Sequence, residues 1–224
     1  EIKKQMIDWW GPIVDEYYAS SEAIGSTLIS AEEWLAHPGS VGKPMVGNVH
    51  ILDEEGNELP PGQAGEIYFE SNMSFEYLND AEKTAASRHH TGWMTVGDIG
   101  YLDDDGYLYL TDRRHHMIIS GGVNIYPQEA ENMLVTHPKV MDAAVFGIPD
   151  DEMGQSVKGV IQLVDPADAG DELAEELLVW LRDRLAHYKC PRTISFEAQL
   201  PRTDTGKLYK QELISKYSAP TPAG

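Results

Sequence analysis

A single cysteine, Cys190, occurs among the 224 residues. No internal disulfide can form, which fits a reducing, cytoplasmic setting. Basic side chains are also scarce: 17 Lys and Arg stand against 37 Asp and Glu, for a formal charge of −20. A chain so acidic repels phosphate backbones and anionic lipid, so no nucleic-acid partner is expected. Any small anionic ligand must be held locally, by a few cations or by backbone N–H groups. Long apolar runs are missing too. No stretch reaches the ~18 residues of a membrane span, so no transmembrane segment is expected. The N-terminal "EIKKQMIDWWGP" has neither the apolar centre nor the small-residue cleavage site of a signal peptide. It has no initiator Met and begins in mid-pattern, so the chain is expected to be a piece of a longer protein.

The patterning that is present changes character along the chain. The first half reads as mostly β. Strands are expected over Val49–Leu52 and Gly65–Glu70, separated by turn residues at Glu55-Gly56-Asn57 and Pro60-Pro61-Gly62. Gly100–Leu102 and Tyr107–Thr111 flank Asp103-Asp104-Asp105-Gly106, a hairpin signal. The Asp run lacks the longer ligand alternation and closing Glu of an EF-hand loop, so a plain turn is expected. The second half alternates helix and strand. A helix starts at Pro127 and stops before Pro138. Strands follow over Val140–Phe146 and Val157–Val164. "GDELAEELLVWLRDRLAHYK" predicts an amphipathic helix with Asp171 as N-cap and Leu173, Leu177, Trp180, Leu181 and Leu185 on one face. The tail "SAPTPAG" predicts disorder.

Four short stretches carry candidate chemistry: "EYYASSEAIG" (16–25), "TGWMTVGDIG" (91–100), "TDRRHHMIISGGVNIYPQE" (111–129) and "LPRTDTGKLYKQEL" (200–213). In this order and spacing they resemble the acyl-activating superfamily of adenylate-forming enzymes. That superfamily includes acyl- and aryl-CoA synthetases, peptide-synthetase adenylation domains and luciferases. The resemblance runs from about Asp15 to about Leu213. It implies an α/β (α+β) chain: residues 1–113 are the β-rich end of the large AMP-binding domain, 114–217 a small mobile lid domain, and 218–224 a disordered tail. It also implies an enzyme that joins a carboxylic acid to AMP and then passes the acyl group to a thiol, using ATP, Mg2+ and CoA.

The same resemblance assigns roles by position. Lys207, after a glycine that lets the loop approach closely, matches the catalytic lysine, whose ammonium stabilises charge developing on phosphate oxygens. Without the other motifs a solvated loop lysine is the simpler reading. Tyr18 would lie against the adenine, Ser21 would bond phosphate oxygens and Glu22 would hold the magnesium ion. Here Ala19 and Ser21 replace the Gly and Thr of the usual Tyr-Gly-x-Thr-Glu pattern, and Val96 replaces a Thr before Gly97-Asp98. Asp98 would accept from the ribose hydroxyls, with Arg113 beside it. Gly121 and Gly122 would line a narrow path for the CoA thiol, though a tight turn explains them equally. "SGGVNIYP" looks most like the acyl-CoA synthetases.

His115 stands at the position of the pivot between the two domains, where Asp or Lys is common. Neither His115-His116 nor His89-His90 has metal-ligand spacing with other residues. The family's phosphate-binding loop is expected upstream of "EYYASSE", in a missing N-terminal part of the same chain. The fragment alone is therefore expected to be inactive. Two other readings remain open: an adenylating enzyme that loads a carrier protein, and a non-catalytic binding piece that keeps the fold. Fatty, aryl and sterol acids share these motifs, so the acid is not specified.

Overall fold

In a computed structural model of the chain, residues 2–204 and 206–218 are described. They fall into two compact units, Glu1–His115 and His116–Gly224, against a boundary expected after residue 113. Of the tail expected over 218–224, Ser218 ends a helix and the rest lies outside the described residues. No helix among the described residues is long and apolar enough to cross a membrane.

The first unit opens with α1 (Ile2–Trp10), β1 (Glu16–Ala19), β2 (Ser26–Ile29), α2 (Ala31–Ala36) and β3 (Ser40–Val46). It continues with β4 (Asn48–Leu52), β5 (Gly65–Glu70), α3 (Ala81–Ala86), β6 (Asp98–Leu102) and β7 (Leu108–Arg113). The seven strands form one antiparallel sheet in the order β1-β2-β3-β7-β6-β5-β4. Local chemistry sets several joints. Ser30 and Glu33 close a capping box at the start of α2. At the β6–β7 turn the Asp103 carboxylate accepts the N–H groups of Asp105 and Tyr107 at 3.0 and 2.8 Å, and Gly106 takes φ +81°. The plain turn expected there is the structure found. Gly42 has φ +97°, and a Cβ on it would lie 2.0 Å from the Leu28 carbonyl oxygen, so only glycine lets β2 and β3 come so close. The core gathers Ile24, Val41, Val49, Ile51, Ile67, Phe69, Met94 and Leu108.

The second unit contains β8 (Ile118–Ser120), β9 (Val123–Ile125), α4 (Pro127–Leu134), β10 (Val140–Asp150) and β11 (Gly154–Leu163). After these come α5 (Asp171–Arg182), β12 (Thr193–Glu197) and α6 (Lys210–Ser218). β11 is central, antiparallel to β10 and β8 and parallel to β12. Alternate residues of β10 serve opposite faces. Ala143 and Val145 pack with Leu134 of α4 and Leu173, Leu177 and Leu181 of α5. Ala144 and Phe146 pack with Leu200 and with Leu213 of α6. A strand covered on both faces reads as a continuous apolar run, which is what "AAVF" is.

Three expectations need correction. Asp171 is the first residue of α5, not its N-cap; Gly170 occupies the cap with no side-chain bond, and Asp171 instead places negative charge in the first turn. The helix ends at Arg182, so Leu185 reaches the core from the following turn. The expected face is too narrow: Leu178 is buried as well, about 100° round the helix from Leu177, while Trp180 is half-buried with its ring edge-on to His137.

Candidate functional site

In the first unit, side chains far apart in sequence converge on Asp98, which opens β6 and is only 7% exposed. The Tyr18 hydroxyl, on β1, donates to Asp98 Oδ2 at 2.6 Å. Arg113, which ends β7 as the register partner of Asp98, brings Nε to 3.2 Å from Oδ1. Oδ2 thus accepts one hydrogen bond and Oδ1 faces a cation, and both keep lone-pair capacity for a further donor. Burial, then the neighbouring Asp98 charge, pushes the Tyr18 phenol far above its usual value, so it stays a neutral donor. Tyr18 packs near Phe69, with ring centroids 6.2 Å apart. Gly25 matters here because a Cβ on it would fall 2.0 Å from Phe69 Cδ1.

The "TVGDIG" stretch builds its own support. Thr95 Oγ1 accepts the Gly97 N–H at 2.9 Å, and the Gly97 carbonyl accepts the Arg114 N–H at 2.8 Å. Gly97 has φ +80°, the turn that delivers Asp98 to the strand start. Val96, where the motif usually has a threonine, is partly buried against the core.

Glu22 is the centre of a second group. The Ser21 hydroxyl donates to Glu22 Oε2 at 2.9 Å and the Tyr77 hydroxyl to Oε1 at 3.1 Å. Burial pushes the Glu22 carboxyl up. The Ser21 hydroxyl, the backbone N–H of Glu22 and the Tyr77 hydroxyl outweigh that and hold it below the usual carboxylate range. Glu22 is therefore an anion at neutral pH. No cluster of three or more His, Cys, Asp or Glu among the described residues can hold a metal ion by itself. One carboxylate beside hydroxyls fits magnesium all the same, since that ion commonly takes one or two carboxylates and completes its shell with water and substrate phosphates.

Tyr77 escaped the sequence reading. It lies 55 residues from Glu22 in a stretch, "FEYLND", with no periodic or motif signal.

The remaining candidates belong elsewhere. His115 closes the first unit within a short 3-10 turn, Arg114–His116. In the second unit Gly121 and Gly122 form the two-residue turn between β8 and β9, with φ +58° and +77°. Two positive φ values are what a type I′ hairpin turn requires. A Cβ on Gly121 would meet Met153 Cε at 2.4 Å, whereas nothing lies within 4 Å of one on Gly122. Lys207 is exposed, on the loop before α6. That loop is closed by hydrogen bonds: Thr203 N–H to the Lys207 carbonyl at 2.8 Å, Gly206 N–H to the Thr203 carbonyl at 2.8 Å, and Lys207 N–H to Thr203 Oγ1 at 3.2 Å. Gly206 has φ +82°.

Comparison with known proteins identifies two family matches in the chain. Residues 1–77 match the AMP-binding enzyme family and residues 129–207 match the AMP-binding enzyme C-terminal domain. The chain is 36% identical over 203 residues to the 2-succinylbenzoate–CoA ligase of Bacillus thuringiensis subsp. konkukian, covering 90% of this chain and 41% of that one. It is 35% identical over 212 residues to a long-chain-fatty-acid–CoA ligase of Mycobacterium tuberculosis, covering 94% and 41%. Among solved structures it resembles the o-succinylbenzoate CoA synthetase of Bacillus subtilis in complex with its acyl-adenylate intermediate. There the TM-score is 0.82 at 34% identity, over 95% of this chain and 43% of that one. The same synthetase has been solved with ATP and a magnesium ion, at TM-score 0.81 and 34% identity over 95% and 43% of the two chains. The chain thus spans 41% of the length of the curated relatives it matches.

The Glu22 group yields a direct test. Tyr77→Phe removes one of the donors that lower the Glu22 carboxyl, so its titration midpoint rises, read from the side-chain carboxyl carbon by NMR. An unchanged midpoint would show that Tyr77 does not hold Glu22 in solution.

Proposed function

The chain belongs to the adenylate-forming superfamily of AMP-binding enzymes, and on that premise we propose that it is the C-terminal part of an ATP-dependent carboxylic acid–CoA ligase. The observation that carries this reading is the convergence of Tyr18 and Arg113 on the buried Asp98. In the first half-reaction a substrate carboxylate oxygen attacks the α-phosphorus of ATP. An acyl–AMP bond forms and pyrophosphate leaves. In the second, the CoA thiolate attacks the acyl carbonyl, a thioester forms and AMP leaves.

The residues divide this work. Asp98 accepts from the ribose hydroxyls through the lone pairs that Tyr18 and Arg113 leave open. Tyr18 fixes Asp98 by its hydroxyl and offers its ring as a wall for the adenine. Ser21 donates to phosphate oxygens. Glu22, held anionic, is the ligand for magnesium, which when bound neutralises phosphate charge. Lys207 stabilises the charge that grows on the α-phosphate as the carboxylate attacks. Gly121 and Gly122 carry no side chain to block a thiol path, and Gly122 has open space above it. His115 is the pivot, which accords with the division of the chain immediately after it. Rotation about it brings Lys207 in for the first step and the glycine turn in for the second.

CoA is favoured over a carrier protein as acceptor because the curated relatives quoted above are CoA ligases. A non-catalytic role is disfavoured because Tyr18, Glu22, Asp98, Arg113 and Lys207 keep their motif identity and Ser21 keeps the hydroxyl of the threonine it replaces, although Val96 loses one. The acid recognised remains outside this reading, since relatives of this chain act on an aromatic acid in one case and long-chain fatty acids in the other. With 41% of a relative's length, the 224 residues alone do not carry the full reaction.

In the full-length parent, Lys207→Ala lowers acid-dependent ATP–pyrophosphate exchange by about 10²–10³-fold but still converts supplied acyl-AMP and CoA to thioester. Equal loss in both assays would make Lys207 a structural residue. His115→Pro, in the same two assays, slows at least one half-reaction; normal rates in both would remove the pivot assignment. The purified 224-residue chain shows no ATP–pyrophosphate exchange, and measurable exchange would contradict its dependence on the rest of the protein.

A further inference from the structure

A catalytic ammonium on a loose loop would have to be ordered each time it docks, at a cost in entropy that opposes catalysis. The described residues on either side of Lys207 are anchored. On one side stands Arg202. Its Nη1 donates to the Gly206 carbonyl at 2.6 Å, and its Nη2 pairs with the Asp142 carboxylate on β10. One planar guanidinium thus ties the peptide that precedes Lys207 to the edge of the central sheet. The two limbs of the loop also pair with each other: Arg202 bridges Leu208, and the Tyr209 N–H donates to the Pro201 carbonyl at 2.9 Å.

On the other side stands Lys210, the first residue of α6. Its Nζ lies 2.7 Å from Glu131 Oε1 on α4, with side chains 6% and 7% exposed. The same Glu131 oxygen accepts the Val145 N–H of β10 at 2.6 Å. The exposed Arg202–Asp142 pair would be weak as a free-standing salt bridge. Its importance lies in the shared guanidinium, which transmits the position of β10 to a backbone carbonyl one peptide from Lys207.

We propose that Arg202, oriented by Asp142, is a positioning residue that presets the Gly206–Lys207 peptide, so that Lys207 is presented by a preset peptide that moves with the whole second unit. This rests on the reading of Lys207 as the adenylation lysine. It assigns the travel of that lysine to rigid-body motion, with the Gly206–Lys207 peptide held in one shape. The buried Lys210–Glu131 pair anchors α6 beneath it.

The test uses the full-length parent with Arg202→Ala, Asp142→Ala, Lys207→Ala and the Arg202→Ala/Lys207→Ala double variant. Arg202→Ala and Asp142→Ala should each lower kcat for acid-dependent ATP–pyrophosphate exchange about tenfold, within the range that small misplacements cause. The KM for ATP and the conversion of supplied acyl-AMP with CoA should stay within about twofold, as expected when only first-step positioning is lost. In the double variant the Arg202 effect should vanish, since a residue acting only through Lys207 has nothing left to position. Hydrogen exchange at the Gly206 and Lys207 amides should quicken in Arg202→Ala and Asp142→Ala. Equal slowing of both half-reactions, a raised KM for ATP at unchanged kcat, or a further loss in the double variant would each overturn the proposal. So would unchanged amide exchange. If Lys207→Ala keeps full adenylation, the catalytic reading of Lys207 fails, and the exchange rates alone then decide whether Arg202 orders the loop.

Discussion

The first unit's site depends on keeping one carboxylate, Asp98, almost out of water. A buried carboxylate is costly unless its oxygens are bonded and its charge is met. Tyr18 supplies the bond and Arg113 the charge, one to each oxygen. The arrangement constrains the sheet. β6 and β7 must pair so that Asp98 faces Arg113, and β1, which is not a neighbour of β6, must still deliver Tyr18 to it. Gly25 admits Phe69 beneath Tyr18, and Gly97 turns the chain into Asp98. These small residues are consequences of the same requirement.

The distribution of charge follows a similar logic. The chain carries a net −20, so an anionic nucleotide gains nothing from the overall field. Attraction must come from a few placed cations, and the candidates are Arg113 in the first unit and Lys207 in the second. On the proposed function, separating them between units would let one stay with the nucleotide while the other is brought in for one step. That division only helps if each cation is firm within its own unit. Arg113 pairs with Asp98, and Arg202 holds the peptide before Lys207.

Much of this was legible where the signal is local. The β5 strand, the Asp103–Gly106 turn and the Pro127 helix start were read directly, because alternation, turn residues and proline act within a few positions. The mixed α/β class followed from the same signals, and the four motifs pointed to the superfamily. What escaped was long-range. β12 is short and takes its place by parallel pairing with β11, which no neighbouring residue announces. Tyr77 reaches Glu22, and Arg202 reaches Asp142 across 60 residues, through contacts that leave no trace in a window of sequence. The hydrogen bonds of the lysine loop were invisible too, because its glycine and polar residues suit an open loop and a closed turn alike.

The central claim is that Asp98 is the ribose-binding carboxylate. Calorimetry of AMP and 2′-deoxy-AMP with the full-length parent tests it most directly. The account predicts that the wild-type protein prefers AMP by about tenfold or more, the scale of a hydrogen bond to a charged group, and that Asp98→Asn binds both nucleotides with nearly equal, weaker affinity. Undiminished preference for AMP in Asp98→Asn would contradict it.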